Sequence, residues 1–357
     1  MLNRTSWGIR AMIFKGTYTA IVTPFTRRMK LDHEGLKRLV EFQSENKVQG
    51  IVVTGTTGES PTLSWGEHIR VVKKVYAEAG SGLTVIAGAG SNSTEEALKG
   101  VAECQEIGVK AVLLVDPYYN GPSSLEIRRE YIEPVARGFP SMQVIPYIIP
   151  GRTGTQTYPQ DLAAASSRYA NISAVKDATG SLENAELVRK LCGNGFSILS
   201  GDDDKTARLM TDPGIRANGV VSVVSNVAPQ AVSKMVEALG GGRLQEGEEL
   251  AERLKPLFEL VTVKTVEESP YGPVEVKARN PLPIKTLMQI LGMPSGPCRR
   301  PLGKVTRRGL EDLLNKARRV YENSPEILRP VESFFDVDLG ERLYKERFWQ
   351  GLSYDGY

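Results

Sequence analysis

Eight short segments rich in β-branched residues recur along the chain. Each is almost continuously apolar, whereas a strand with one face in water would alternate apolar and polar positions. This pattern is typical of parallel strands that are covered on both faces. The eight predicted strands are 18–23, 50–55, 84–90, 111–117, 143–149, 173–178, 196–201 and 219–224.

Segments with apolar positions at helical spacing lie between these runs. They include 33–45, 65–79, 94–108 and 182–193. Asp32 and Ser64 are predicted to cap the first two helices, and Ser93 with Glu96 three residues later predicts a capping box for the third. Eight successive strand–helix units favour an α/β fold, a (β/α)8 TIM barrel with additional C-terminal helices, over the alternative of an open doubly wound sheet.

The pattern divides the chain into four parts. Residues 1–11 lack the apolar core of a signal peptide and are predicted to be an N-terminal extension or a mis-assigned start. Residues 12–226 hold the barrel strands and helices, and 227–322 hold the final barrel helix and a C-terminal helical region. Within that region, the polar stretch 265–280 is predicted to be an exposed loop insertion. The tail, 323–357, is expected to pack as an accessory or to hang loosely.

Charge and composition exclude several classes of protein. The 45 Lys and Arg residues against 42 Asp and Glu leave a net charge of +3, which is too small to imply a nucleic-acid or membrane partner, and none is expected. No apolar run approaches the roughly 18 residues of a membrane-spanning helix. Three isolated cysteines without CxxC spacing favour a reducing compartment, so a cytoplasmic protein is expected. With only His33 and His68, neither a His-based triad nor a His-rich metal centre is expected.

Candidate chemistry lies at the carboxyl ends of the strands, where barrel enzymes keep their catalytic groups. The second strand ends in GTTGES, residues 55–60. Its glycines expose backbone N–H groups, and Thr56 and Thr57 add hydroxyls, a combination suited to a carboxylate or phosphate. The lysine of a Walker loop is missing. A plain glycine-rich turn capped by threonine is the alternative.

Lys176 lies inside the apolar sixth strand, in the run SAVKDATG. A lysine there must reach solvent, pair with an acid or lose its charge, and burial favours the neutral amine that Schiff-base chemistry needs. The alternative is a buried ion pair with a neighbouring aspartate. The fifth strand adds Tyr147 as a candidate proton relay and Arg152 as a candidate carboxylate ligand.

Three other motifs carry less weight. GAGSNS, 88–93, lacks the last glycine of a dinucleotide-binding loop. The consecutive aspartates of GDDDK, 201–205, are predicted to begin a helix rather than to bind a metal. The tyrosines of DPYYN, 116–120, follow the fourth strand, where such pairs more often pack or form subunit contacts than act in catalysis.

The segments GTTGES, DPYYN, YIIPGRTG, VKDATG, SGDDD and NGVVSV stand in an order that resembles the dihydrodipicolinate synthase/N-acetylneuraminate lyase family. The resemblance covers residues 12–322. It implies a barrel of class I aldolase type in which pyruvate forms an imine with Lys176, without a metal or another cofactor. It also implies a homotetramer, built as a dimer of tight dimers.

The resemblance assigns roles to matching positions. Tyr147 is implied as the general acid/base, relayed through Thr57 to Tyr119, which reaches in from a neighbouring subunit. Thr56 and Thr57 are implied to bind the pyruvate carboxylate. No residue in these assignments holds a metal.

Further matching positions concern the pocket and the second substrate. Gly201 and Val221 are implied to line the pocket, the latter through its backbone carbonyl near the imine. Arg152 in PGRTG resembles the arginine that holds the carboxylate of aspartate 4-semialdehyde in dihydrodipicolinate synthases, which sialic-acid lyases usually lack. The favoured reaction is condensation of pyruvate with L-aspartate 4-semialdehyde to 4-hydroxy-tetrahydrodipicolinate, in lysine and diaminopimelate biosynthesis.

The sequence also departs from the family pattern. Ile148 replaces the Asn that usually follows the catalytic tyrosine, Asp177 replaces the commoner Glu after the lysine, and 265–280 resembles an insertion. These differences leave open another pyruvate-dependent aldolase, acting on a 2-keto-3-deoxy sugar acid or 4-hydroxy-2-oxoglutarate. A non-catalytic barrel that acts as a binding or scaffold protein is a third alternative.

A second site follows from the same resemblance. Six residues match positions at which many synthases bind L-lysine as a feedback inhibitor: Ser60, Trp65, His68, Asn92, Glu96 and Tyr118. Trp65 and His68 together are similar to the lysine-sensitive pattern of plant-type enzymes. The alternative is that these two side chains simply pack a surface helix.

Overall fold

A closed barrel of eight parallel strands forms the centre of the molecule. The computed structural model describes residues 12–356, so the extension predicted for 1–11 lies outside the described residues. Each strand pairs with the next, and β8 pairs with β1 to close the barrel. The strands are β1 Gly16–Ala20, β2 Gly50–Val53, β3 Thr84–Gly88, β4 Ala111–Val115, β5 Gln143–Ile148, β6 Ala174–Asp177, β7 Ser197–Ser200 and β8 Gly219–Ser222. The predicted (β/α)8 barrel is confirmed.

Helices surround the barrel and extend beyond its last strand. They are α1 His33–Glu45, α2 Trp65–Ala79, α3 Thr94–Ile107, α4 Ser124–Glu126, α5 Glu133–Gly138, α6 Pro150–Thr153, α7 Pro159–Arg168, α8 Leu182–Cys192, α9 Thr206–Thr211, α10 Pro229–Gly240, α11 Leu244–Phe258, α12 Leu282–Leu291, α13 Arg307–Asn323, α14 Arg329–Phe335 and α15 Leu339–Tyr344. A π-helical turn, Ile127–Ile132, joins α4 to α5. No helix among residues 12–356 combines the length and apolar character needed to cross a membrane.

The predicted helix caps are confirmed with one exception. The Asp32 side chain accepts a hydrogen bond from the backbone N–H of Gly35, and Ser64 forms a reciprocal capping box with Glu67. Ser93 caps α3, but the carboxylate of Glu96 accepts the hydroxyl of Ser91 instead of the cap's backbone N–H. The predicted capping box at Ser93 is therefore wrong in one of its two hydrogen bonds. The Glu96 carboxylate does not accept the backbone N–H of Ser93, because it accepts the hydroxyl of the buried Ser91.

Two apolar layers hold the barrel together. One fills its interior, and a larger one lies between the strands and the surrounding helices. Along β6, Ala174 belongs to the interior layer and Val175 to the outer one. Since successive side chains of a strand point to opposite faces, this alternation places Lys176 inside the barrel.

Residues 265–280 do not form the predicted loop. They belong to an antiparallel hairpin of β9 Thr262–Ser269 and β10 Gly272–Arg279, closed by a turn in which the Tyr271 side chain is exposed. On one face of the hairpin, Val263 is buried, and Thr265 lies within hydrogen-bond distance of Thr306 at the start of α13. The two-residue alternation of this segment is a strand signal, which the prolines and charged residues obscured.

The described part of the tail, 323–356, packs against the barrel. Phe334 and Phe335 contact the ring of Phe42 in α1, with ring centroids 5.3 and 5.2 Å away. Leu339 and Leu343 of α15 are fully buried, and the backbone N–H of Tyr354 donates to the carbonyl of Val305. The tail thus packs against α1 and the C-terminal helices α12 and α13.

Candidate active site

One cavity at the carboxyl ends of the strands gathers most of the predicted catalytic residues. It measures about 420 Å³ and lies at the end of the barrel where the loops after β2, β5, β6 and β7 meet. The predicted residues that line it are Thr56, Thr57, Tyr147, Arg152, Lys176 and Gly201. Residues from four different loops and strand ends therefore face one space, which only closure of the barrel makes possible.

Lys176 is almost completely buried and faces this cavity. Its ammonium group lies 4.0 Å from the centroid of the Tyr147 ring, and the two residues are register partners on neighbouring strands. The carboxylate of the adjacent Asp177 points elsewhere, because it accepts hydrogen bonds from Thr179 and Asn184. The alternative of a Lys176–Asp177 ion pair is therefore wrong, and within residues 12–356 the Lys176 amine forms no salt bridge.

The GTTGES loop is held in an unusual backbone conformation. Glu59 has a φ of 56°, in the left-handed region that favours glycine. Its buried carboxylate lies 2.5 Å from Nζ of Lys285 in α12 and also accepts the backbone N–H of Arg299. The same ammonium donates to the carbonyl of Thr23. This buried ion pair ties the threonine loop to the C-terminal helices.

Arg152 lies in the short helix α6, directly after β5. Its guanidinium donates to the backbone carbonyl of Asn280, 2.9 Å away. Arg152 lines both the 420 Å³ cavity that holds Lys176 and a neighbouring cavity of about 240 Å³. Burial lowers the pKa of Arg152, and the nearby charge of Arg279 acts in the same direction. The group stays positively charged, since an arginine keeps its proton in proteins, and it can hold a carboxylate.

Of the two predicted pocket residues Gly201 and Val221, only Gly201 lines the cavity. A Cβ on Gly201 would lie 2.6 Å from the Cβ of Ala178, so only glycine allows the loops after β6 and β7 to approach here. Val221 is buried inside the barrel, beside Tyr18 of β1 in the register, and its side chain does not border the cavity.

Tyr119 stands apart from the cavity. Its side chain is 94% exposed, and its φ of 79° is in the left-handed region. Thr57, the implied link of the relay, accepts a hydrogen bond from Nδ2 of Asn280. Among residues 12–356, no hydrogen bond joins Thr57 to Tyr147 or to Tyr119, so a single chain leaves the relay open.

Several cavity residues were missed by the sequence analysis. Asp202 borders the cavity, and burial, with the neighbouring Asp204 in second place, raises the pKa of its carboxyl to about 6, while Lys176 acts in the opposite direction. Asn280 and three cationic residues of the hairpin base complete one wall: Lys264, Lys277 and Arg279. The charged residues of 265–280 were the sequence signal for this wall. Because the segment was predicted to be an exposed loop, these residues could not be placed at the cavity.

The aspartates of GDDDK do not form a metal site. Asp203 is buried, and its carboxylate accepts hydrogen bonds from the Ser222 hydroxyl and the backbone N–H groups of Val223 and Val224. It therefore fixes the loop after β8. Within the described residues, His, Cys, Asp and Glu side chains form no group of three that could hold a metal ion.

The six residues of the predicted lysine site are only partly brought together. Ser60 and Tyr118 line a cavity of about 240 Å³ that also borders Tyr147 and Arg152. His68 is buried, with Nε2 2.7 Å from the carbonyl of Gly88, and burial lowers its pKa.

The other three residues lie around these in the fold. The Trp65 ring lies next to the His68 ring, tilted by 41° with centroids 5.0 Å apart, and is partly exposed. The Asn92 side chain accepts the backbone N–H of Tyr118, and Glu96 binds Ser91. None of these three borders the 240 Å³ cavity.

Comparisons with known proteins agree on one family. The model of the dihydrodipicolinate synthetase family matches residues 13–319. The 4-hydroxy-tetrahydrodipicolinate synthase of Syntrophus aciditrophicus is 38% identical over 311 residues, which are 87% of this chain and 98% of the relative.

Solved structures give the same result. The 4-hydroxy-tetrahydrodipicolinate synthase of Methylacidiphilum fumariolicum is 36% identical, with a TM-score of 0.79 over 90% of this chain and 99% of the neighbour. A dihydrodipicolinate synthase from Cyanidioschyzon merolae, solved with lysine bound, is 33% identical, with a TM-score of 0.78 over 86% of this chain and 98% of the neighbour.

Proposed function

This chain belongs to the dihydrodipicolinate synthetase family, and on that premise we propose that it condenses pyruvate with L-aspartate 4-semialdehyde through an imine on Lys176. The activity is that of a lyase of class I aldolase type, giving 4-hydroxy-tetrahydrodipicolinate for lysine and diaminopimelate biosynthesis. The observation that carries the assignment of Lys176 is its place in the cavity, where it is buried next to Tyr147 and has no ion-pair partner among residues 12–356.

The chemistry requires a nucleophilic amine and a proton carrier. The amine of Lys176 attacks C2 of pyruvate and water leaves, which forms the imine. Loss of a C3 proton gives an enamine, and C3 then attacks the aldehyde carbon of the second substrate. The amino group of that substrate displaces Lys176 from C2 and closes the ring, which returns the free amine. Tyr147, which lies against Lys176, is positioned to carry the protons.

The remaining cavity residues account for binding. Thr56 and Thr57 are placed to hold the pyruvate carboxylate with hydroxyl and backbone N–H groups, and the Lys285–Glu59 pair holds their loop. Arg152 supplies a positive charge for the carboxylate of the aldehyde substrate. Because the imine itself activates pyruvate, these steps need neither a metal nor an organic cofactor.

The acceptor aldehyde can be tested by comparing substrates. We expect turnover with pyruvate and L-aspartate 4-semialdehyde, and none in the cleavage of 2-keto-3-deoxygluconate or 4-hydroxy-2-oxoglutarate. Arg152→Ala is expected to raise KM for the semialdehyde by about 10- to 100-fold, because a charge-assisted bidentate contact is lost. KM for pyruvate should change little. Cleavage of either keto acid at a rate comparable to the condensation would overturn this acceptor assignment.

The departures at Ile148 and Asp177 do not favour another acceptor. Ile148 is fully buried in the layer between strands and helices and does not line the cavity. Asp177 likewise faces away from the cavity, toward Thr179 and Asn184. Both substitutions therefore lie outside the space that the substrates occupy.

L-Lysine is proposed as a feedback inhibitor at the second site. The 240 Å³ cavity of Ser60 and Tyr118 shares Tyr147 and Arg152 with the catalytic cavity, so an occupant could act on catalysis through a short path. A related enzyme from Cyanidioschyzon merolae was solved with lysine bound. Glu96 and Asn92 lie nearby, where a carboxylate could balance the ammonium groups of lysine.

Inhibition by lysine is expected at millimolar concentration or below. The measurement is isothermal titration with L-lysine, together with turnover at rising lysine concentration. Glu96→Gln is expected to weaken binding by about tenfold, since it removes one charge-assisted contact. Lys99→Gln on the same helix, an exposed charge change, serves as the control. Absence of heat, combined with full turnover at 10 mM lysine, would reject the regulatory site while leaving the catalytic assignment intact.

A tetramer of two tight dimers completes the proposal. Tyr119 has a left-handed backbone and is almost fully exposed, so its ring does not pack against its own barrel. A large aromatic side chain in this state gains most by burial against a second copy, where it can close the relay from Tyr147 through Thr57. This assembly explains why a single chain leaves the relay open.

The cysteines support a cytoplasmic location. All three are free, and Cys104 and Cys298 are buried, with the pKa of each thiol raised by burial to about 12. Thiols without disulfide partners are typical of a reducing compartment.

A further inference from the structure

The base of the β9–β10 hairpin forms a wall of the catalytic cavity. Lys264, Lys277 and Arg279 line the same space as Lys176 and Arg152. The three hairpin side chains are exposed and lie on the face opposite to the one that packs toward α13. The hairpin therefore contributes positive charge to the wall of the catalytic cavity.

The hairpin is also fastened to the substrate-binding turn of α6. Arg279 donates to the carbonyl of Gly151, 3.1 Å away, and Arg152 donates to the carbonyl of Asn280. Asn280 additionally donates to Thr57. These contacts run in both directions between the end of β10 and the residues that bind substrate, so the cationic wall has a defined position relative to the cavity.

Lys264 and Lys277 form an unusual pair within this wall. They are direct register partners across the antiparallel strands. Like charges in that position destabilise a sheet. Two lysines placed together at this cost, at the mouth of a cavity, are typical of a surface that receives an anion.

The charges that face the pair leave a positive excess. The Glu275 carboxylate, on the same strand, lies 3.3 Å from the Lys277 ammonium, and Asp202 also borders the cavity. Lys264 has no salt-bridge partner within residues 12–356. Against these two acids stand four cationic side chains that line the cavity beside Lys176: Arg152, Lys264, Lys277 and Arg279.

We propose that the Lys264–Lys277 pair is an entry subsite that attracts the carboxylate of pyruvate and raises its concentration at Lys176. This inference rests on the proposed function. A cleft lined by one sign of charge focuses the electric field and enriches ions of the opposite sign. Pyruvate is a monoanion, whereas L-aspartate 4-semialdehyde carries one ammonium and one carboxylate and is neutral overall. The subsite therefore acts on the first substrate more than on the second.

The test compares KM values at two ionic strengths. Lys264→Gln/Lys277→Gln is expected to raise KM for pyruvate by about 3- to 10-fold at low salt, with kcat unchanged, because two attracting charges are removed. At about 0.5 M salt the difference should disappear, since exposed charges are then screened over a few ångströms. KM for the semialdehyde should change less than about twofold.

Two control variants separate charge from structure. Lys264→Arg/Lys277→Arg keeps both charges and should retain the pyruvate KM of the unsubstituted enzyme. Lys190→Gln removes an exposed charge at the end of α8, which precedes β7 and so lies at the opposite end of the barrel, and should leave KM unaltered. A collapsed hairpin, in contrast, would raise both KM values and lower kcat at every salt concentration.

Borohydride trapping distinguishes the failure of this inference from that of the proposed function. The fraction of unsubstituted and Gln-substituted protein that carries a reduced pyruvyl group is measured by intact mass over a range of pyruvate concentrations. If the unsubstituted protein forms the adduct and turns over but the double Gln variant titrates identically, the entry subsite is wrong and the lysines only protect the hairpin edges. If the unsubstituted protein forms no adduct at Lys176, the proposed function itself is wrong.

Discussion

Lys176→Ala is expected to abolish the pyruvyl adduct and to lower turnover by at least about three orders of magnitude, because the covalent route through the imine is lost. The protein is mixed with pyruvate and reduced with borohydride, and its intact mass is then measured by mass spectrometry. The unsubstituted chain should gain one reduced pyruvyl group, and peptide mapping should place it on the β6 peptide. The same samples are assayed with L-aspartate 4-semialdehyde.

Two further variants show whether the loss is chemical. Lys176→Met preserves the length and apolar stem of the buried side chain and should fold but form no adduct. Tyr147→Phe keeps the ring that lies 4.0 Å from the amine and removes only the hydroxyl, so it should form the adduct about 10²- to 10⁴-fold more slowly. An adduct of undiminished yield in Lys176→Met would show that another residue carries the imine.

Lys285→Met is expected to destabilise the protein by about 3–5 kcal/mol, the typical cost of leaving a buried charge without its partner. Lys285 and Glu59 are both almost completely inaccessible, and the ammonium also lies 4.4 Å from the Phe25 ring centroid. Without it, the Glu59 carboxylate keeps the backbone N–H of Arg299 and the thiol of Cys298, and neither carries a positive charge to balance it. The measurement is urea unfolding at one fixed protein concentration, since assembly affects apparent stability.

The pair also has a consequence for catalysis. Glu59 holds the left-handed turn that follows Thr56 and Thr57, so the stability loss in Lys285→Met should be accompanied by a higher KM for pyruvate. Glu59→Gln/Lys285→Met should lose less stability than Lys285→Met alone, because the unpaired charge is gone. Lys316→Met, which removes a partly exposed lysine paired with Asp312, is the matched control and should cost about 1 kcal/mol or less. Equal losses in Lys285→Met and Lys316→Met would contradict this role of the pair.

The barrel was predictable because its signals are local. Eight apolar runs without alternation require cover on both faces, and the caps at Asp32 and Ser64 mark where helices begin. Strand boundaries were less predictable. The first run was placed at 18–23 but β1 is Gly16–Ala20, because pairing with β2 and β8, rather than apolar character, decides where a strand ends.

Much of the site was predictable for a related reason. A lysine in an apolar strand has few states open to it, and Lys176 is found buried and facing the cavity. The alternative ion pair with Asp177 could be rejected only from the structure. Strand alternation turns the two side chains to opposite faces, and the Asp177 carboxylate accepts a hydrogen bond from Asn184.

The local sequence thus predicts the barrel, its strand-end motifs and the buried lysine, since each depends on the chemistry of a few neighbouring residues. The Asn280 contacts with Thr57 and Arg152 and the Glu59–Lys285 pair join residues that lie more than 100 positions apart. Such contacts leave no periodic signal in the chain, because their partners meet only after the barrel closes and its C-terminal region packs over the loops. The sequence therefore determined the features that depend on local propensity. The features that depend on long-range contacts were decided by the closed tertiary fold.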